Sequence, residues 1–284
     1  MIKRKINRII KGQPISVIPG VKGSRTFPTM DFKDSDPFLM MDHIGPDPVG
    51  KSFFLDGKGH DHPHRGFETL TFMFEGRMDH RDSIGNQVRL DSGAVQRMNA
   101  GKGIIHGGSM HADQETGRFH EMQLWVNNPQ IEKLSEPEVE NVSNEDMPFY
   151  MDGDNKVRVV TGTFNSITSP MTTKSKVSVA HVIGKPSTMV YEDLPANEKV
   201  MVYVLEGNME INGTRLKQFE LADLEFSDGN IEITISENTD YLVLVGKPLN
   251  EPIAFGGPFV MNTQEEIQQA NMDFQLGKFG EINY

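Results

Sequence analysis

The stretch His62-Pro63-His64-Arg65-Gly66-Phe67-Glu68 sets the expectation for the whole chain. Its two histidines stand two residues apart, and side chains i and i+2 of a β-strand point to the same face. Two neutral imidazoles on one face can share an ion of iron, copper, nickel or zinc. His106 follows after a strand-rich interval and is placed to supply a third imidazole from a second strand. The sequence therefore predicts a metal site formed by His62, His64 and His106.

Glu68 has the same parity as the two histidines, so on a continuous strand its carboxylate would face the same side. A lone pair of histidines at this spacing is more often a surface accident than a metal site. Here Glu68, a glycine turn at Gly76 and a later histidine accompany the pair, and that combination is much rarer by chance. We therefore expect Glu68 to face the same side as the histidine pair.

Short strands separated by turns surround this segment. Residues 67–75 are aromatic and β-branched, which favours a strand, and further strands are predicted at 94–98 and 122–127. Glycine-rich turns recur roughly every eight to twelve residues, which is typical of an all-β barrel or sandwich. His80 stands next to the hairpin tip at 84–87, where we expect it to be exposed.

The second half of the chain echoes the first. Residues 71–76, Thr-Phe-Met-Phe-Glu-Gly, resemble residues 202–207, Val-Tyr-Val-Leu-Glu-Gly, and a β-hairpin is predicted after each. The offset between the two copies is 131 positions, from Gly76 to Gly207. The positions that this offset makes equivalent to His62, His64 and Glu68 are Asp193, Pro195 and Lys199. We therefore predict two copies of one β-fold, with the metal site in the first copy alone.

The repeat suggests a division of the chain into two units. We predict an N-terminal, metal-binding barrel over residues 1–140 and a C-terminal barrel without a metal site over residues 141–284. The second unit is predicted to end in a helix over residues 263–276. Thr263 and Glu266 have the spacing of a capping box, which favours a helix beginning there.

Composition narrows the class of protein. The chain has 284 residues and a formal net charge of −12, so direct binding to nucleic acid is not expected. It contains no cysteine, which excludes disulfides and thiolate ligands. No apolar run is long enough to cross a bilayer and the N-terminus lacks a signal-peptide core. We therefore expect a cytoplasmic protein with no membrane partner.

With these residues in view, the chain resembles the pirins, two-barrel members of the cupin superfamily. The segments that carry the resemblance are HPHRGFET at 62–69, MNAGKGIIH at 98–106, QLWVN at 123–127, GPFVMNTQEEIQQA at 257–270 and LGKFG at 276–280. The resemblance implies two face-to-face jelly-roll barrels with one metal ion, usually iron, in the N-terminal barrel. It also implies four ligands: both histidines of HPH, the histidine ending GIIH, and a glutamate two residues later. The first three are His62, His64 and His106.

The fourth position departs from the family pattern, because it is Gly108 here and glycine has no side chain to offer a metal. We weigh several outcomes. In the first, three histidines and water bind the metal, and Glu68 lies next to them as an outer ligand or base. In the second, Glu68 itself moves in as the fourth ligand. Alternatively another group substitutes, or metal binding is weakened or lost. The substitutes considered are His111, Asp113, His120 and Glu121. We favour three histidines with water at the open positions.

The resemblance implies two classes of function. The first is an enzyme, a quercetin 2,3-dioxygenase-type flavonol oxygenase that uses Fe(II), with Mn, Ni, Cu and Zn as alternative metals. Its substrate would be a small aromatic flavonol. The second is a non-catalytic co-regulator that binds a protein partner and uses the metal as a structural or redox element. The acidic surface suits a protein partner better than DNA. A metal-free structural protein is a third, weaker alternative.

Overall fold

The computed structural model describes residues 2–192 and 194–284, and it confirms an all-β chain with two barrels. Asp193, one of the positions assigned through the repeat, lies outside the described residues. The strands of the first half are β1 (Ile6–Lys11), β2 (Gln13–Ile15), β3 (Gly23–Phe27), β4 (Phe38–Pro48), β5 (Phe54–Leu55), β6 (His62–His64), β7 (Phe67–Glu75), β8 (Arg77–Asp82), β9 (Gln87–Asp91), β10 (Val95–Asn99), β11 (Ile104–His111), β12 (Arg118–Asn127) and β13 (Glu138–Val142).

The second half continues the all-β pattern and closes with a helix. Its strands are β14 (Phe149–Asp152), β15 (Asn155–Thr161), β16 (Thr163–Phe164), β17 (Ile167–Thr168), β18 (Ser178–Gly184), β19 (Ser187–Tyr191), β20 (Lys199–Glu206), β21 (Asn208–Ile211), β22 (Thr214–Lys217), β23 (Glu220–Leu224), β24 (Ile231–Ile235), β25 (Thr239–Gly246), β26 (Ala254–Gly256) and β27 (Phe259–Met261). The helix is α1 (Gln264–Gln275). A short 3-10 turn, Gln130–Glu132, follows the first barrel's last long strand.

Each barrel is made of two antiparallel sheets. In the first barrel the larger sheet has the order β13-β10-β7-β12-β4-β3-β2, and the smaller one the order β5-β11-β8-β9 with β6 paired to β11. In the second barrel the orders are β1-β23-β20-β25-β18-β15-β14 and β19-β24-β21-β22. The repeated segments lie in β7 and β20, and the glycine after each, Gly76 and Gly207, has a positive φ. The predicted duplication is therefore visible in the fold.

The two large sheets pack against each other. Alternation along β7 sends Leu70 and Phe72 into a buried cluster with Met201 and Tyr203 of the second barrel. Met73 instead joins a cluster inside the first barrel. This alternation follows from the two-residue period of a strand. The face of β7 that contains Leu70 is therefore the interface between the barrels.

The division between the barrels differs from the predicted one at residues 140/141. Strand β1 pairs with β23, so the N-terminal strand completes the second barrel. Strand β13 extends past residue 140 and pairs with β10 of the first barrel. The chain's end also returns to the first barrel, where Arg65 contacts Asp273 of α1 at 2.9 Å. A sequence repeat reveals two folds but not which barrel an edge strand joins.

The C-terminal helix begins as predicted. The Thr263 hydroxyl accepts a hydrogen bond from the Glu266 backbone N–H at 3.2 Å, and the Glu266 carboxylate accepts one from the Thr263 N–H at 3.0 Å. Ile267 and Ala270 are buried, as the apolar spacing indicates. Among the described residues, no helix is long and apolar enough to span a membrane.

A buried ion pair recurs in both barrels with its charges exchanged. In the first barrel Arg97 donates to Glu68 at 2.7 Å, and the second carboxylate oxygen of Glu68 accepts from the backbone N–H of Lys174 at 2.7 Å. In the second barrel Lys199 donates to Asp223 at 3.1 Å. Lys199 is the position that the repeat makes equivalent to Glu68. Glu68 therefore has a structural role at the interface between the barrels.

We predict that Glu68→Gln lowers the free energy of unfolding by about 3 kcal/mol, because it leaves the buried Arg97 charge without its closest partner. The matched control is Glu138→Gln, since Glu138 binds the same guanidinium at 3.0 Å but its side chain is half exposed. That substitution should cost less than about 1 kcal/mol. Chemical denaturation of both variants measures the difference, and equal costs would contradict the assignment.

Candidate metal centre

The structure brings the three predicted histidines together. Strands β6 and β11 pair antiparallel, with His62 opposite His106 and His64 opposite Ile104. The ring centroids lie 4.4 Å apart for His62 and His106, 4.7 Å for His62 and His64, and 5.0 Å for His64 and His106. One nitrogen from each ring lies within 4.8 Å of the other two. This spacing fits three imidazoles that share one ion.

Backbone carbonyls fix the tautomers of two of these rings. His64 Nδ1 lies 3.3 Å from the carbonyl oxygen of Pro258, and His62 Nδ1 lies 3.1 Å from that of His60. Because a carbonyl oxygen only accepts, each Nδ1 carries the proton and each Nε2 keeps its lone pair. Nε2 of His64 and Nε2 of His106 are buried and have no hydrogen-bond partner among the residues that the structure describes. Buried nitrogens of this kind are costly unless an ion satisfies them.

Burial favours the neutral form that metals require in two of the ligands, His64 and His106. Burial, with a smaller contribution from the neighbouring His62, lowers the pKa of His64 to about 3. Burial, followed by the charges of His64 and His62, lowers the pKa of His106 well below its ordinary value. His62 is exposed, which leaves the site open to solvent on that side. His64 and His106 therefore need not lose a proton before they bind a metal ion.

A cavity of about 410 Å³ opens beside His62 and His64. Its volume lies within the ordinary range for small-molecule sites. Its apolar walls are formed by Val17, Pro28, Met40, Trp125, Phe255 and Pro258. Its polar groups are Gln123 and Arg25, whose guanidinium holds Asp42 through two hydrogen bonds of 2.6 and 2.7 Å. The cavity suits a flat, largely apolar molecule with a few polar groups at one edge.

The packing around Gly108 explains why this position is a glycine. Gly108 lies opposite His80 on β8. A Cβ at residue 108 would stand 2.8 Å from the carbonyl oxygen of Asp79, closer than side chains approach backbone. On the other side, Gly57 is packed against the backbone of Gly108. A glutamate at this position would therefore require β8 to shift.

Glu68 does not join the histidines, which corrects its predicted role as base. Gly66 has a φ of +87° and separates β6 from β7, and the two strands then pair in different sheets. The alternation of side chains between the two faces is therefore interrupted between His64 and Glu68, and the two side chains do not face the same site. Both carboxylate oxygens of Glu68 are held by the interface contacts described above, which leaves neither free to serve the metal site.

The other groups considered as substitute ligands also lie apart from the trio. His111 contacts Asp79 and Arg77 at the far end of β11. Asp113 accepts hydrogen bonds within its own turn, and His120 Nε2 lies 2.6 Å from His43 Nε2 at the interface between barrels. Glu121 is buried, and burial raises its pKa to about 7, with Asp42 adding to the shift. None of them belongs to the group of nitrogen and oxygen atoms around the trio.

His80 is a site residue that the sequence analysis placed wrongly. It was predicted to be exposed, yet it is 1% exposed, and its ring centroid lies 5.6 Å from that of His106. Its Nε2 contacts Asp82 at 3.0 Å, while its Nδ1 is buried without a hydrogen-bond partner. The signal that could have found it is the alternation of Met78, His80 and Asp82, whose burial follows the period of a strand.

A second cluster that could hold a cation spans the barrels, formed by Glu75, His120 and Glu206. Arg118 already lies between its acids, 3.0 Å from Glu75 and 2.7 Å from Glu206. The guanidinium therefore supplies the positive charge that a metal would bring. We assign this cluster to the contact between barrels.

Comparisons with known proteins agree with this geometry. The family model for pirin matches residues 20–126, and that for the pirin C-terminal cupin domain matches residues 180–280. A pirin-like protein from Caulobacter vibrioides is 35% identical over 97% of this chain and 99% of its own length. Pirin-1 of Arabidopsis thaliana is 32% identical over 88% of this chain and 86% of its own. A solved quercetin 2,3-dioxygenase from Acinetobacter baumannii matches with a TM-score of 0.89 at 32% identity, covering 99% of this chain and 100% of that one.

We predict one metal ion per chain, and its loss in His64→Ala and His106→Ala, because each variant removes a buried ligand. The matched control is His111→Ala on the same strand β11, which should keep the ion. Elemental analysis of protein prepared with added iron and without chelator measures the content. Full occupancy in His106→Ala would contradict the site.

We predict a shallow pH dependence of metal affinity. Three ordinary histidines would each shed a proton on binding below a pH of about 6.5. Since the pKa of His64 lies at about 3 and that of His106 is also lowered, two ligands stay neutral in mild acid. The logarithm of zinc affinity should therefore fall by no more than about one per pH unit between roughly pH 7 and 5. A chelator competition titration measures this slope, and a value near three would refute it.

Proposed function

The chain belongs to the pirin family, and from this premise we propose that it is a mononuclear metal oxygenase acting on flavonol-type substrates. One observation carries the proposal. The Nε2 atoms of His64 and His106 are buried, unpartnered and convergent with His62, beside a cavity that can hold a small aromatic molecule. The relative from Acinetobacter baumannii that carries the name quercetin 2,3-dioxygenase supports the choice of substrate class.

The donor set supports a first-row divalent ion. Imidazole suits iron, copper, nickel and zinc, and we propose Fe(II), with Mn, Ni, Cu and Zn as alternatives. A bound ion would supply Lewis acidity toward the enol and carbonyl oxygens of a flavonol and the electron exchange that O2 chemistry needs. His62, His64 and His106 would hold it, while Pro258 and His60 orient two of the rings through their carbonyls.

The cavity supports binding of a flat substrate next to the trio. Trp125 forms one wall, with its ring centroid 5.3 Å from that of His64. Its indole N–H donates to the side-chain oxygen of Gln123 at 2.9 Å, so the amide NH2 of Gln123 is oriented for a ligand. Such an arrangement would orient a hydroxylated ring system next to the trio.

The absence of a carboxylate ligand affects binding and oxidation differently. Three neutral imidazoles leave a divalent ion with a formal charge of +2, whereas an added carboxylate would leave +1. A more positive centre holds an enolate more tightly. The same positive charge would make electron transfer from a bound ion to O2 less favourable. We therefore propose slow turnover with firm substrate binding.

We predict that iron-loaded protein consumes O2 slowly with quercetin, and that Phe255→Ala raises KM roughly five- to tenfold with little change in kcat. Phe255 lines the cavity without contacting the histidines, and an aromatic contact is worth about 1 kcal/mol. The matched control is Phe149→Ala, because that ring is equally exposed but lies in the second barrel.

O2 uptake by the iron-loaded protein and its variants measures these effects. Iron-loaded protein that binds no flavonol and consumes no O2 would contradict the enzyme proposal. It would favour the alternative, a metal-containing co-regulator that acts through a protein partner. One observation favours this second function: position 108, where the family pattern has a ligand glutamate, is a glycine in this chain.

A further inference from the structure

A histidine–aspartate pair lies inside the first barrel next to the three ligands. His80 and Asp82 occupy alternate positions of β8, and both side chains are fully buried. Asp82 also accepts hydrogen bonds from the backbone N–H groups of Ile84 and Asn86 at 3.0 Å. The carboxylate is therefore fixed by the hairpin, and it in turn fixes the ring of His80.

The pair leaves one nitrogen of His80 with a free lone pair. A carboxylate can only accept, so Nε2 of His80 carries the proton that it donates to Asp82 at 3.0 Å. With that proton placed on Nε2, the tautomer leaves the lone pair of Nδ1 free. That atom is buried and has no hydrogen-bond partner, although a buried acceptor without a partner is costly. An additional donor would remove this cost.

The register places His80 on the strand next to Gly108 and on the face of the ligand histidines. Gly108 lies directly opposite His80, and His106 directly opposite Asp82. Residues opposite each other in an antiparallel pair point to the same face, so His80 shares the face of His106. A side chain at residue 108 is blocked by the backbone of Asp79, whose carbonyl oxygen would lie 2.8 Å from its Cβ. The polar group on this face next to His106 therefore comes from β8, as His80, and not from residue 108.

The distance indicates a role outside the ligand set. The His80 ring lies 5.6 Å from that of His106, whereas the rings of the trio lie 4.4 to 5.0 Å apart. His80 is also absent from the group whose ligand atoms converge within 4.8 Å. His80 therefore lies next to the ligand set without belonging to it.

We propose that His80 is a positioning residue whose Nδ1 accepts a hydrogen bond from a hydroxyl group or water held beside the three histidines, and that Asp82 sets the tautomer which makes this possible. The proposal rests on the metal site of the proposed function. It assigns to β8 the polar contact that the family carboxylate would otherwise make from β11. It concerns substrates with a hydroxyl next to a carbonyl, such as flavonols, because the hydroxyl is the donor.

The first test measures the tautomer directly. In the zinc-loaded protein, 15N NMR of the imidazoles should show His80 with a protonated Nε2 and an unprotonated Nδ1. Asp82→Asn should reverse this, because the amide oxygen can keep accepting from the backbone N–H groups of Ile84 and Asn86 while its NH2 donates to Nε2. The side-chain amide of Asn86, which donates at 2.8 Å to the Asp82 oxygen that also contacts His80, must then turn over to accept. A protonated Nδ1 in the unmodified protein would overturn the proposal.

The second test measures binding of 3-hydroxyflavone to the zinc-loaded protein, in which no oxidation competes. Asp82→Asn should weaken binding roughly tenfold or more, because a protonated Nδ1 of His80 would then face the ligand's hydroxyl group, and both are donors. His80→Gln should weaken it about fivefold or more by removing the acceptor. His80→Asn should lose less, because its side-chain oxygen can occupy the position of Nδ1. His111→Gln on the same sheet is the matched control and should bind like the unmodified protein.

The outcomes separate this proposal from the function on which it rests. If all variants bind zinc and 3-hydroxyflavone equally, the metal site stands and the role of His80 is refuted. Equal losses in His80→Asn and His80→Gln would show that the ring matters for packing alone and would also refute it. If the unmodified protein takes up no zinc, the proposed function itself fails.

Discussion

The antiparallel pairing of β6 with β11 is the contact on which the site depends. It sets His62 opposite His106, and a shift of register by one residue would turn one set of imidazoles to the other face. The short strand β6 has little intrinsic stability, being three residues long. Gly66 turns the chain out of it through a positive φ, and the carbonyl of Pro258 fixes His64 from outside. The site is thus assembled from three distant segments.

The chain's two ends explain why the barrels act as one unit. The N-terminal strand completes the second barrel, while the C-terminal hairpin and helix return to the first. Lys133, which is buried, donates to the carbonyls of Gly66 and Val260, so the tail is joined to the strand junction beside the metal site. Burial lowers the pKa of Lys133 to about 8. The C-terminal segment therefore stabilises the junction of β6 and β7 next to the candidate metal site.

The sequence predicted what depends on local pattern and missed what depends on register. The HxH spacing and strand β7 are local, and the repeat revealed two barrels. The role as base predicted for Glu68 was wrong, because the positive φ of Gly66 interrupts the side-chain alternation between His64 and Glu68. His80 was missed because its neighbours across β8 and β11 are set by long-range pairing. The contribution of Pro258 could not be foreseen, since nothing local shows that the tail folds back onto the first barrel.

The central claim is a site of three imidazoles, without a carboxylate ligand, in the first barrel. Anomalous diffraction at the metal edge from crystals of the metal-loaded protein tests it most directly. The account predicts one peak per chain, within bonding distance of Nε2 of His62, His64 and His106 and of no carboxylate oxygen. A peak bound by a carboxylate, such as Glu121, or centred on Glu75 and Glu206, would contradict it.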